Sequence, residues 1–174
     1  TEQRIEIALR NGRRLVQRVE RTELPPSAFN PFRPWGIHVI AGGARGIGLQ
    51  IACHMARRAH ARVLLIGRSD PASAEAAVAA VSAAGGEAIY RSADLLDGPA
   101  LAQAVADARR LWGPINGVIH SALVLDDRSL LRLDETSLRR ALEPKARGAV
   151  NLAAAVAQDD LDYFAFFSSA NAVF

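Results

Sequence analysis

One cysteine, Cys53, stands among the 174 residues, so no internal disulfide is possible and nothing points to an oxidising compartment. Cytoplasm is the expected location. No apolar run approaches the length of a membrane span, and the opening residues lack a secretory-signal pattern. A charge excess is missing too. Lysine and arginine number 21 against 18 acids, a net charge of +3. The arginines are scattered, without a long basic run or aromatic interleaving, so no nucleic-acid partner is expected, nor a membrane. What remains is ordinary for a soluble globular domain, with 50% hydrophobic and 22% charged residues. The length is enough to bury one good core.

The chain is organised around Ala41-Gly42-Gly43-Ala44-Arg45-Gly46-Ile47-Gly48. An apolar run, Ile37-His38-Val39-Ile40, leads into it. A helical pattern with Ile47, Ile51 and Met55 four residues apart leads out. A strand that turns through glycines into a helix aims backbone N–H groups and the helix dipole at one point, which favours a phosphate. The glycines permit the tight turn, the approach of a pyrophosphate and close helix–sheet packing. The spacing is G-x-x-x-G-x-G, and the bare cluster also fits a turn between core elements. Its strand-and-helix setting makes a dinucleotide site the expectation.

Residues 1–20 read as a hairpin. Ile5, Ile7 and Leu9 alternate with Arg4, Glu6 and Ala8, Asn11-Gly12 suits a type I′ turn, and residues 14–19 return. Two strands alone are barely stable, so the hairpin is expected to belong to a sheet whose other strands lie upstream. Residues 21–35 form a linker, because Pro25, Pro26, Pro31 and Pro34 exclude a helix or central strand. From residue 36 to 174, apolar runs alternate with helical patterns. Strands are expected at 37–40, 62–66, 87–91, 115–120 and 163–167. Helices are expected at 72–84, at 97–112, and from Asp134 to about Gln158 with a kink or restart at Pro144. Continuous apolar strands separated by helices predict an α/β fold, a doubly wound, Rossmann-like parallel sheet. Ligands in such folds bind at the carboxyl ends of the strands.

The strand ends carry the candidate chemistry. Arg68 follows the second strand, where an NAD site usually has an acid, and Arg45 lies on the same side. Two guanidiniums and no acid favour NADPH over NADH, although Arg68 also fits a solvated strand-end charge. Ala93-Asp94-Leu95 follows the third strand, and Asp94 is placed to accept from adenine, to cap a turn, or both. His120-Ser121-Ala122 ends the fourth, with small residues that admit the nicotinamide ribose. His120 reads as a locally hydrogen-bonded strand end rather than a catalytic base.

Together the glycine loop, Arg68, Asp94, His120-Ser121-Ala122 and Phe166-Phe167-Ser168-Ser169 resemble the short-chain dehydrogenase/reductase superfamily. Leu125-Asp126-Asp127 and Pro144-Lys145-Ala146-Arg147-Gly148 narrow the likeness to the ketoreductase domain of modular polyketide synthases, with residues 36–174 resembling its NADPH-binding catalytic subdomain and the hairpin and linker resembling the end of the structural subdomain that precedes it. The resemblance implies NADPH-dependent reduction of a 3-oxoacyl thioester, carried on an acyl carrier protein, to the 3-hydroxyacyl thioester. It implies other synthase domains or subunits as partners and no metal. It assigns cofactor contact to Gly42, Ala44, Arg45, Gly46, Ile47, Gly48, Arg68, Asp94, Leu95, His120, Ser121 and Ala122. Ser169 matches the family serine, which hydrogen-bonds the substrate carbonyl, and Lys145 the family lysine, which lowers a tyrosine pKa. Leu125 and Asp127 match the family motif for a D-configured hydroxyl.

Some positions depart from the family pattern. Leu123 stands where a glycine is common, and Ala41 where a threonine is. The family tyrosine that protonates the forming alkoxide falls beyond Phe174, so activity is expected to need further residues and the sheet to be incomplete at its C-terminal side. The alternative reading is a catalytically inactive, ketoreductase-like scaffold that docks synthase subunits through an open sheet edge.

Overall fold

The computed structural model describes residues 7–16, 20–23, 30–126 and 128–169. The chain divides into two compact units, Thr1–Asn30 and Pro31–Phe174. In the first, β1 (Ile7–Arg10) pairs antiparallel with β2 (Arg13–Val16), with Ile7 opposite Val16 and Arg10 opposite Arg13. The turn between them has φ of 49° at Asn11 and 72° at Gly12, the left-handed pair that a type I′ turn requires. Ile7 and Leu9 share a face with Val16, and both are exposed. The expected strand residues 5 and 17–19, and linker residues 24–29, lie outside the described residues.

The second unit alternates strand and helix in chain order: β3 (Ile37–Ala41), α1 (Gly46–Ala59), β4 (Arg62–Gly67), α2 (Glu75–Ala83), β5 (Glu87–Ser92), α3 (Gly98–Trp112), β6 (Gly117–His120), α4 (Glu135–Ala155) and β7 (Tyr163–Phe166). Its strands are all parallel, in the order β5-β4-β3-β6-β7. Every residue of β3 is buried, as the unbroken apolar run requires. Successive side chains of β4 serve opposite layers. Leu64 and Ile66 pack with Leu101, Val105 and Leu152 of α3 and α4. Val63 and Leu65 pack with Met55, Ala56 and Val81 of α1 and α2. The fold is thus the expected doubly wound, Rossmann-like one. The chain runs outward through β3, β4 and β5, then returns to place β6 on the other side of β3. The strand order reverses at β3 and β6, and in folds of this type that reversal marks the ligand side, beyond the carboxyl ends of the strands.

The helix ends are set by side chains. Asp97 caps α3 by accepting from Ala100 N at 3.0 Å, and Asp134 caps α4 by accepting from Ser137 N at 2.7 Å. Three local expectations need correction. Ile47 is exposed, because the packed face of α1 is built from Gly48, Ala52, Cys53, Met55, Ala56 and Ala59. Helix α2 starts only at Glu75, after a 3₁₀ turn at Pro71–Ala74 that Asp70 caps through Ala72 N at 2.9 Å. Helix α4 runs unbroken through Pro144, which is buried.

Candidate functional site

The glycine loop meets the end of β6 at the point where the strand order reverses. Ser121 donates both its N–H and its hydroxyl to the Ala41 carbonyl, each at 2.9 Å. A Cβ at Gly48 would stand 2.7 Å from Ser121 Oγ, and one at Gly42 would stand 2.7 Å from Ala122 N. Only glycines let α1, the loop and the β6 end come this close. Gly46 differs. Its φ is +54°, and a Cβ there would meet nothing within 4 Å. The backbone is therefore open at one point, at the head of a helix.

That helix head suits an anion. Arg45 at the cap position gives no side-chain hydrogen bond to the first turn, and no acid lies there. Helices α3 and α4 carry capping aspartates at the same position. The α1 terminus keeps its positive end uncompensated by side-chain charge, with Arg45, Gly46 and Ile47 exposed. The donors and the open glycine fit a dinucleotide phosphate.

Arg68 follows β4, exposed, with Nη1 4.0 Å from Asp94 Oδ2. The sequence-predicted phosphate and adenine residues are thus neighbours at the ends of β4 and β5. Asp94 Oδ1 accepts from Leu96 N at 2.9 Å, so the carboxylate also holds its own turn. Leu95 is buried. Its carbonyl accepts from Asn151 Nδ2 at 2.9 Å, and a Cβ on Gly148 of α4 would touch its side chain at 2.9 Å. Its structural work is to seat α4.

His120 is buried, with Nε2 2.9 Å from the Pro144 carbonyl. Its other nitrogen, Nδ1, has no partner among the described residues. Burial pushes its pKa down, and the Lys145 charge adds to the effect. The buried imidazole thus ties β6 to α4. Its neighbour in the tie, Lys145, donates from Nζ to the Phe167 carbonyl at 2.9 Å, and burial lowers its pKa as well. Ser169 follows in the segment after β7 and is exposed. Leu125 is exposed in the segment after β6. Asp126 is held there by Arg128 Nε at 2.9 Å and Arg140 Nη1 at 3.4 Å. Asp127 lies outside the described residues. The structure thus gathers the glycine loop, Arg68, Asp94, Ser121, Lys145 and Ser169 at the carboxyl side of one sheet.

Sequence reasoning missed Asn151, which pins Leu95, and Tyr90, whose hydroxyl donates to the Ser69 carbonyl at 2.9 Å. Both act across elements, and only strand pairing or helix docking reveals them. Among the described residues no cluster of histidine, cysteine and acidic side chains could hold a metal ion. Nor is any helix there long and apolar enough to cross a membrane.

The KR domain family model matches residues 36–174. Polyketide synthase ThaG of Burkholderia thailandensis is 40% identical over 165 residues, which is 92% of this chain and 3% of the relative. Polyketide synthase PksM of Bacillus subtilis is 34% identical over 169 residues, 96% of this chain and 4% of the relative. The chain therefore spans a small fraction of the length of these relatives. Among solved structures, a ketoreductase domain from the bacillaene assembly line superimposes with a TM-score of 0.81 at 29% identity. That match covers 96% of this chain and 40% of the other.

Proposed function

The chain belongs to the KR domain family of polyketide synthase ketoreductases, and from that membership we propose that it serves NADPH-dependent β-ketoacyl reduction in polyketide biosynthesis. The substrate in this reading is a 3-oxoacyl thioester on an acyl carrier protein, and the product is the 3-hydroxyacyl thioester. The observation that carries it is the carboxyl side of the sheet, where an uncapped helix head, an open Gly46 and exposed Arg68 border the strand ends that lead to Lys145 and Ser169.

Gly42, Ala44, Arg45, Gly46, Ile47 and Gly48 would hold the pyrophosphate. Arg68, with Arg45 beside it, would pair with the 2′-phosphate, and Asp94 would accept from adenine through the oxygen facing Arg68. Ser121 and Ala122 would border the nicotinamide ribose. The cofactor, when bound, supplies the hydride for the C3 carbonyl carbon. Negative charge then builds on the carbonyl oxygen, and a hydroxyl donor at Ser169 stabilises it. The proton for that oxygen comes, in this reading, from the tyrosine phenol that the family uses, whose pKa the Lys145 ammonium lowers. Leu125 and Asp127 would bias the face of attack towards a D-configured hydroxyl.

The second reading is a catalytically inactive, ketoreductase-like scaffold that docks synthase subunits. The test uses the natural polypeptide that carries this chain, given NADPH and a 3-oxoacyl thioester, with product analysed on a chiral phase. Consumption of NADPH with formation of one 3-hydroxyacyl isomer is expected. Cofactor binding with no product would favour the scaffold.

A further inference from the structure

We propose that Tyr90 sets the discrimination between NADPH and NADH, by fixing the turn that carries Arg68; the proposal rests on the NADPH reading above. Arg68 is an exposed, many-rotamer side chain whose nearest carboxylate oxygen among the described residues is 4.0 Å away. Little holds the guanidinium itself. Its aim depends on the backbone of the turn Gly67-Arg68-Ser69, and a loose turn would cost binding entropy at each encounter with a phosphate.

The turn is tied on both sides of Arg68. Ahead of it, the Gly67 carbonyl accepts from Ala93 N at 2.9 Å. Behind it, the Ser69 carbonyl accepts from the Tyr90 hydroxyl at 2.9 Å. Beyond Ser69 the chain is secured again, since the Asp70 carbonyl accepts from Ser73 Oγ at 2.6 Å. Tyr90 reaches this carbonyl from the neighbouring strand. It sits on β5 opposite Leu65 of β4, and its ring runs up past the end of β4. The residue is 8% exposed. A Cβ at Gly67 would lie 3.1 Å from the Tyr90 hydroxyl and 3.5 Å from the ring, so the glycine is where the tyrosine passes. A phenylalanine could fill the same space but could not hold Ser69.

Tyr90 therefore acts on cofactor choice through Arg68, as a positioning residue. NADH lacks the 2′-phosphate and gains nothing from an aimed guanidinium. Losing the hydroxyl should weaken one cofactor and spare the other, which a general loss of packing would not do.

The experiment measures dissociation constants of NADPH and NADH by fluorescence titration, on the natural polypeptide carrying this chain. Wild type, Tyr90→Phe, Arg68→Ala and the double variant are compared. Tyr90→Phe should weaken NADPH about tenfold and leave NADH unchanged. In the Arg68→Ala background, Tyr90→Phe should add nothing. If Arg68→Ala removes the preference for NADPH while Tyr90→Phe keeps it, the Tyr90 proposal fails and the NADPH reading stands. Equal weakening of both cofactors by Tyr90→Phe would also overturn it. If the wild type shows no preference and Arg68→Ala changes nothing, the NADPH reading fails and takes the proposal with it.

Discussion

Lys145 donates its ammonium to the main-chain oxygen of Phe167 at 2.9 Å, two residues ahead of Ser169 in the chain. One hydrogen bond thus joins helix α4 to the segment that bears the proposed carbonyl donor. In the natural polypeptide, Lys145→Ala and Ser169→Ala should each lower kcat about a hundredfold or more. Lys145→Arg should not restore the rate, because a planar guanidinium cannot replace a compact ammonium on a single carbonyl. Steady-state turnover of a 3-oxoacyl thioester checks this. A near-normal rate in either alanine variant would return Lys145 to a helix-surface role or Ser169 to a strand-end one.

Gly46 and Gly48 should fail in different ways. Gly46 faces open space at a φ of +54°, so Gly46→Ala should cost about 1 kcal/mol of stability. The same methyl would stand where a phosphate is proposed to approach, so NADPH binding should be lost. Gly48 packs on Ser121, and Gly48→Ala should cost roughly 1–3 kcal/mol by overpacking the loop against β6. Denaturant midpoints and NADPH titrations on both variants separate the two effects. Wild-type NADPH affinity in Gly46→Ala would move the phosphate site elsewhere.

The parts of the fold written in local pattern were legible. The five apolar runs became five parallel strands, Asn11-Gly12 became a left-handed turn, and Asp97 and Asp134 became caps. The glycine loop was legible because its neighbours in sequence, a strand and a helix, are also its neighbours in space. Ile47 misled because period alone does not say which side of α1 faces the sheet. Small residues such as Ala52 and Ala56 allow the close approach that decides it. Pro144 misled because a helix can carry a proline when tertiary contacts hold the turn. Here the Pro144 carbonyl is bound by His120 from β6. Tyr90 and Asn151 were invisible for the same reason, since their partners lie on other elements.

His38 predicts an acid-sensitive fold. It is fully buried on β3, stacks on Tyr163, and places Nδ1 3.0 Å from the Tyr163 hydroxyl. Its Nε2 has no partner among the described residues. Burial lowers its pKa to about 4, against a partial opposing pull from Asp162. The unfolded chain, with His38 near its ordinary value of 6.5, then binds more protons between those two values. Stability should be full above that window, fall as pH drops through it, and level off below about 4, for a total of about 3 kcal/mol. His38→Gln should flatten the slope. Denaturant unfolding at several pH values through the window checks it, and an unchanged slope in His38→Gln would assign the acid sensitivity to other groups.

Asp159 predicts the largest stability loss from a single polar side chain. It follows α4, and its side chain is almost wholly buried, 2% exposed. It forms an ion pair with Arg109 of α3, whose Nε approaches both carboxylate oxygens, at 3.1 and 3.2 Å. It also accepts from Ile115 N at 3.0 Å, ahead of β6. Arg109 meanwhile donates to the Ala155 carbonyl at 2.8 Å, at the end of α4. One carboxylate therefore joins the ends of two helices to the entry of a central strand. Asp159→Ala would leave an arginine that is 18% exposed without its counter-ion and a backbone N–H without its acceptor. The expected loss is about 3 kcal/mol or more. Removing both partners with Asp159→Ala and Arg109→Met should cost less than Asp159→Ala alone, because the uncompensated charge goes too. A double variant less stable than the single one would mean that the pair itself, and not the relief of a stranded charge, supplies the stability.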